Sequence, residues 1–280
     1  MTSIVVPPGP PLVVAFDASA VSGAVFSRGL LRARLRAFAR VELPRGALVP
    51  TPTGPSLPSP GEVADALLAL RERLGPGAAR ATLLLPDGVG RFGLFEAPSG
   101  TDLREFVRFR LAPSLPYPPA EAVVDALRVG RGRVLGAAVR RSVVAEYEQA
   151  AKAAGFEQER VDLAPLVALT GLLRRGTGVH VILGDAASSL AAFDGPRLAA
   201  FRSRRRDPGP GEAGRLREEA RRTLRLAGTP DGNGFPLTFL GPGADALVED
   251  IAGTVPAPRV GRAPSLPAGA DAAWLSGFLG

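Results

Sequence analysis

Apolar positions along the chain fall into short runs of strand length, separated by stretches in which they recur every three or four residues. After a Pro-rich lead over 1–11, strands are predicted at about 12–17, 21–28 and 30–43. In the third, Leu31, Ala33, Leu35, Ala37, Ala39 and Val41 alternate with Arg32, Arg34, Arg36, Phe38 and Arg40. That period of two suits a half-exposed strand with one basic face. Residues 44–61 are rich in proline and glycine and read as a loop. Ser59-Pro-Gly-Glu62 opens a helix with Val63, Leu67 and Leu70 or Leu74 on one stripe, and Gly75-Pro76 stops it. Strands follow at 81–86 and about 91–97. A helix opened by Ser99 or Thr101 carries Leu103, Phe106, Val107 and Phe109 or Arg110 inward, and the Pro-rich run 113–119 ends it. Strands at 122–129 and 133–139 lead to a helix capped by Ser142, with Val143, Tyr147, Ala150 and Ala154 on one face and Gly155 as its stop. A strand at 156–161 and a short helix at 163–173 complete this half.

The second half opens like the first. Leu12–Phe26 and Val179–Phe193 each run apolar residues into an aspartate, then small residues and serines, then a second apolar strand. Each continues through a tight turn (27–29 and 194–196) into a third strand. Matching Asp17 with Asp185 sets the copies 168 residues apart (185 − 17). Internal similarity on this scale implies two related lobes, 1–176 and 177–280. A small, hydroxyl-rich turn also lets a backbone approach phosphate oxygens. Lobe II continues through the basic, breaker-rich connection 204–211 into a helix at 212–227 with Leu216, Ala220, Leu224 and Ala227 inward. A strand then enters the Gly241-Pro242-Gly243 turn, followed by a helix at 244–252 and a Pro-rich tail ending in an apolar, helix-like 272–279. The arginines at 202–206 read as a solvated connection, the alternative being contact with an acidic partner or a membrane surface.

Composition narrows the function classes. The hydrophobic share of 46% and mean hydropathy of +0.14 are those of a globular chain. No apolar run is long enough to cross a bilayer, and the N-terminus has neither a basic nor an apolar signal region, so a cytoplasmic location is expected. With no cysteine there is no thiol chemistry. A single histidine, His180, leaves no His-based zinc site or serine–histidine triad and reads as structural or surface. The net charge of +7 comes almost wholly from dispersed arginine, Lys152 being the only lysine, and aromatics are 6%, so no nucleic-acid partner is expected.

The order strand set, helix, inserted α/β module, helix, second strand set, helix, strand–Gly turn–helix resembles the actin, heat-shock chaperone and sugar-kinase superfamily. Within it, Ala81–Gly88, Thr101–Phe109 running to Leu115–Pro118, Val134–Val139, Val144–Phe156 and Val161–Pro165 resemble segments of the PilM family of type IV pilus assembly. The cytoplasmic domain of the type II secretion protein GspL is similar too. The resemblance covers essentially 12–280. It implies an actin-like two-lobe α/β fold, with a small inserted α/β module at about 87–161 in lobe I. It also implies that lobe II lacks the insert that supplies adenine contacts, the 204–211 connection standing in its place.

The resemblance also implies a nucleotide site, at Asp17, Ser19 and Ser22 in the first loop, Gly184 and Ser188 in the second, and Gly241 and Gly243 in the third. The departures from the family pattern weigh against its use. In the first loop Ala18 stands where the glycine belongs, Gly23 sits near the lysine position, and the family Asp is either Asp17 or replaced by Phe16. In the second, Asp-x-Gly has become Ile182-Leu-Gly184, and isoleucine cannot ligate a hard cation. Asp185, three residues on, is expected to point away from the side that Ile182 faces. In the third, Pro242 removes a backbone donor. The expectation is a non-catalytic scaffold without a bound cofactor, peripheral to the inner membrane. The resemblance gives it as partner the short N-terminal tail of a bitopic, PilN-like membrane protein, with a pilus motor ATPase as a further partner. Phe106, Leu115 and Tyr117 are read as module core, and their region as the place where that tail docks. The alternative is an ATP-binding conformational switch of the same fold, with Mg²⁺; a sugar or acetate kinase relative ranks below both, since no catalytic base is identifiable.

Overall fold

The computed structural model describes residues 12–27, 34–75, 79–130, 132–172, 176–228, 236–251, 259–260 and 272–279. The predicted Pro-rich lead, the start of the third strand and most of the Pro-rich tail lie outside these residues. Lobe I opens with β1 (Leu12–Phe16), β2 (Ala20–Ser27), β3 (Arg34–Glu42), α1 (Pro60–Leu74) and β4 (Arg80–Leu85). A module follows: β5 (Arg91–Glu96), α2 (Leu103–Leu111), β6 (Ala122–Arg128) and β7 (Arg133–Arg140). The chain returns through α3 (Arg141–Ala153), β8 (Glu157–Leu163) and α4 (Ala164–Leu172). Lobe II holds β9 (Gly178–Leu183), β10 (Ala187–Asp194), β11 (Arg197–Arg205), α5 (Glu212–Leu226), β12 (Leu237–Leu240), α6 (Ala244–Ile251) and β13 (Arg259–Val260), and α7 (Leu275–Leu279) comes last.

Two five-stranded sheets share one order, β3-β2-β1-β4-β8 and β11-β10-β9-β12-β13. In each, an antiparallel three-strand meander adjoins parallel strands, β4 beside β1 and β12 beside β9. The register fixes how the copies correspond. Phe16 pairs with Val21 across the first hairpin and Leu183 with Ser188 across the second, so the copies lie 167 residues apart (183 − 16). The turns agree, since Asp17 N donates to Ala20 O and Gly184 N to Ala187 O, both at 2.9 Å. Gly184 therefore corresponds to Asp17, Ile182 to Ala15 and Asp185 to Ala18. Matching the two aspartates is off by one residue, because hydrogen-bonded pairing sets the register and a turn residue does not.

Both faces of each sheet are covered, which explains why β1 and β9 are buried at every position. On one face of lobe I, Val14 and Phe16 meet Leu67 of α1 and Tyr147 of α3. On the other, Val13 and Ala15 meet Val167 of α4 together with Trp274 and Leu275. In lobe II, α5 and α6 cover one face. The other packs Ile182, Phe193 and Leu240 against Ala168, Leu169 and Leu172 of α4 and Leu135 of the module. Thus α4 contributes to the cores of both lobes and is the joint between them.

Several boundaries differ from expectation. The inserted module is smaller than 87–161, because β8 is the fifth strand of the lobe I sheet and α3 packs on α1; its own sheet is β5-β7-β6. The last helix, α7, packs on α4 and lobe I although the sequence division puts it with lobe II. A register shift at Val25/Phe26 breaks the alternation of β3, so Leu35 and Phe38 share a face while Ala39 and Val41 take the other. Asp102, not Ser99 or Thr101, caps α2, accepting from the amides of Arg104 and Glu105. On that helix Val107 and Leu111 are buried whereas Phe109 is 78% exposed. The N-cap of α3 is Arg140, with Ser142 exposed one residue inside the helix.

Candidate functional site at the lobe junction

The two duplicated turns meet face to face. The amide of Asp185 donates to both carboxylate oxygens of Asp17, at 3.0 and 3.1 Å. In return, the carboxylate of Asp185 accepts from the Ser19 amide at 3.1 Å and from the Ser19 hydroxyl. Arg40, on β3, donates to Ser19 Oγ at 2.9 Å and lies 4.0 Å from Asp185. The expectation that Asp185 points away was a strand argument, but β9 ends at Leu183 and Asp185 sits in the turn, where alternation does not apply.

A third carboxyl group lies beneath this clasp. Pro86 ends the strand segment after β4, and Asp87 follows it, 7% exposed, accepting from Ser189 Oγ at 3.2 Å. Sequence reading missed Asp87, although its place at the carboxyl end of a central parallel strand was a signal. Burial, followed by the charge of Asp17, raises the Asp87 pKa to about 7. Burial and then the charge of Asp185 raise that of Asp17 to about 6. Three carboxyl groups thus crowd the junction, and Arg40 lines the space beside two of them, Asp17 and Asp87.

That space is small. Asp17, Ser22, Asp87, Ile182, Gly184 and Pro242 line a cavity of about 50 Å³, with Ala272–Trp274 along another side. Trp274 is 6% exposed and packs with Val13, Ala15 and Leu84 of lobe I, 6.5 Å from the Phe38 ring. Ile182 is core, held against Leu169 and Ala273.

The other residues singled out in the sequence are placed as follows. Gly23 does not face the cavity; a Cβ there would press on Leu70 and Leu74 of α1. Ser188 is buried on the far side of β10 from Ser189, beside Arg204–Arg206. Gly241 and Gly243 have φ of 104° and 79°, and a Cβ on Gly241 would collide with Leu183 O, so both glycines have a conformational reason to be there. Arg206 is not solvated. Its guanidinium donates to Gly184 O at 2.9 Å and Pro242 O at 3.2 Å and pairs with Glu212 at 2.5 Å. The connection from β11 to α5 spans only 206–211. His180 is 3% exposed, edge-on to Phe193, which makes it a core histidine and excludes the surface alternative. Phe106, Leu115 and Tyr117 pack in the module core with Val107 and Val124; Tyr117 is 7% exposed, with Arg140 5.9 Å from its ring centre. The structure does not bring these three to the lobe junction. Among the described residues no group of acids and histidines forms a metal site, and no helix is long and apolar enough to cross a membrane.

No family model matches the sequence, and no curated protein matches it. Solved structures do. The chain is similar to the PilM-PilN type IV pilus biogenesis complex, with a TM-score of 0.72 and 18% identity, over 96% of this chain and 90% of that one. It is similar to the cytoplasmic domain of EpsL, an inner-membrane component of the type II secretion system of Vibrio cholerae, with a TM-score of 0.55 and 15% identity over 95% and 92% of the two chains. A Bacteroides thetaiotaomicron protein with an actin-like ATPase fold and unknown function matches with a TM-score of 0.59 and 10% identity, over 89% and 90%. At these identities the likeness establishes the fold, which is actin-like α/β.

Proposed function

We propose that the protein is a non-catalytic, actin-like adaptor of a type IV pilus or type II secretion platform, working at the cytoplasmic face of the inner membrane. Its partner in this reading is the cytoplasmic tail of a PilN-like membrane protein, the partner in the similar PilM–PilN complex. The observation that carries the reading is the narrow junction. The cavity between Asp17, Gly184 and the Pro242 turn, the three loops that carry nucleotide in the superfamily, is about 50 Å³ here, against the roughly 300 Å³ or more of small-ligand pockets. The wider groove along Ser19 and Ala186 does not reach Gly184 or Pro242. The two turns spend their amides and carboxylates on each other, and Ala272–Trp274 cover what remains. The donor set also fits Mg·nucleotide poorly. The register equates Ile182 with Ala15, so neither hairpin carries an acid two residues before the position of Gly184. Isoleucine and alanine offer no oxygen to a hard cation, and adding the charge of a nucleotide to three crowded carboxyl groups would be unfavourable.

The alternative is a switch in which Mg·ATP opens the clasp and alters affinity for the partner. One titration separates the two readings. Trp274 is the only tryptophan and lines the cavity, so its emission reports a ligand entering there. Calorimetric titration with Mg·ATP to millimolar concentration is expected to give no heat and no change in Trp274 emission. Micromolar binding with an emission shift would reject the adaptor reading in favour of the switch.

A further inference from the structure

Next to the small cavity, with Asp87 lining both, lies an open groove of about 960 Å³ along the Ser19 turn. Lobe I forms one wall with the loop after β3, including Leu48 and Pro50, and with Phe92 at the start of β5. Lobe II forms the other with Ala186 and Ser203–Arg205. At this size, near the upper limit of small-molecule pockets, it is large enough for a chain segment.

Its charge is one-sided. Arg45 and Arg91 come from lobe I and Arg204 and Arg205 from lobe II. The acids on its wall are committed elsewhere: Glu42 pairs with Arg40 at 2.8 Å, and Asp87 is buried and accepts from Ser189. Arg204 is held by Glu219 at 2.8 Å, and Arg91 reaches only the Gly90 carbonyl, at 3.2 Å. Among the described residues Arg45 and Arg205, both exposed, make no ion pair. The wall also suits an extended chain. Ser203, Arg204 and Arg205 are consecutive and all line the groove, whereas a sheet face would present alternate residues. They end β11, the edge strand of its sheet, beyond the Leu198 and Ala199 carbonyls that Arg133 of the module already engages.

We infer that this groove receives an acidic, extended segment of a partner protein, gripped by arginines from both lobes. The inference rests on the adaptor reading and supplies the chemistry of the segment that the adaptor holds. Arginine binds carboxylates through paired, charge-assisted hydrogen bonds, and a segment seated there links the lobes across the clasp. An occupant of opposite charge also relieves the repulsion among arginines drawn from two separate strands and one loop.

The test uses the full chain and two fluorescein-labelled nonapeptides, Glu-Ser-Leu and Gln-Ser-Leu, each repeated three times, with binding read by anisotropy. The Glu peptide is expected to bind at least tenfold more tightly than the Gln peptide, and raising the salt from about 50 to about 500 mM weakens it roughly tenfold. Arg45→Glu with Arg205→Glu abolishes that preference while the thermal unfolding curve stays in place, since both side chains are exposed. No binding, equal binding of the two peptides, or unchanged binding by the folded double variant overturns the inference. So does tight binding to phosphatidylserine vesicles that the same variant loses, which assigns the arginines to a membrane surface. The adaptor reading is tested by Mg·ATP, which plays no part in these arms, so the two failures are told apart.

Discussion

The two hairpins are copies in backbone and opposites in chemistry. Both close with the same turn hydrogen bond, at 2.9 Å in each. In lobe I the turn begins with Asp17, and in lobe II the equivalent position is Gly184, with the acid displaced by one residue to Asp185. That displacement makes the turns complementary. The carboxylate of Asp17 takes the Asp185 amide, and the carboxylate of Asp185 takes the Ser19 amide and hydroxyl. Two identical turns with aspartates at equivalent positions would have set carboxylate against carboxylate. The contrast extends one step back along the strands, where Ile182 joins the apolar cluster on α4 while the equivalent Ala15 packs under Trp274. A duplicated turn thus serves as a clasp once its two copies have diverged.

The sharpest way to break this asymmetry is to restore an acid to lobe II. Ile182→Asp puts a carboxylate into the cluster of Leu169, Leu240 and Ala273, beside Asp17 and Asp87. The expected loss is about 4 kcal/mol or more in urea unfolding, because an unpaired buried charge adds to a lost apolar side chain.

Next in size is the pH dependence. The folded-state pKa values of Asp87, about 7, and Asp17, about 6, lie above the ordinary carboxylate value. The folded state therefore binds these protons more tightly than the unfolded state. Their favourable contribution is complete below about pH 4 and is lost as pH rises through the window to about 7. At about 1.4 kcal/mol per pKa unit, the Asp87 shift alone, from 3.8 to about 7, amounts to roughly 4 kcal/mol that should disappear across it. In Asp87→Asn most of that slope is absent, leaving the variant more stable than the parent at pH 8. A parent whose stability rises over this window would contradict the assignment.

Smaller still is the difference between the two clasp acids. Asp185→Ala leaves the Ser19 amide and hydroxyl without their acceptor and removes the carboxylate 4.0 Å from Arg40, at a cost of about 2 kcal/mol. Asp17→Asn keeps a carbonyl acceptor for the Asp185 amide, and at pH 5 is expected to cost less than about 1 kcal/mol. Equal losses in the two variants would mean that the clasp is not reciprocal.

Much of the fold was legible in the sequence because burial leaves a periodic mark. The β1 and β9 strands are buried on both faces and read as continuous apolar runs, and Leu216, Ala220 and Leu224 repeat every four residues on α5. The failures fall where pattern loses its meaning. The bulge at Val25/Phe26 reverses the alternation of β3. A partial stripe on α2 could not tell the exposed Phe109 from the buried Leu111. Gly241 and Gly243 looked like parts of a nucleotide loop, and their positive φ and the closeness of Leu183 give them a backbone reason that no sequence pattern separates from it. Asp87 stood in plain view beside Pro86, but a lone acid after a strand has no partner in sequence to mark it.

The sequence by itself determined the duplication, the order of strands and helices and the apolar faces, since these follow from local periodicity and from turn residues. Only the tertiary structure decided the pairing of the two hairpins, the return of Trp274 to cover their junction, and the gathering of Arg45, Arg91, Arg204 and Arg205 around one groove. The physical reason is that each of these joins residues more than a hundred positions apart. Such contacts depend on sheet register and on the packing of α4 between the lobes, and neither leaves a period along the chain.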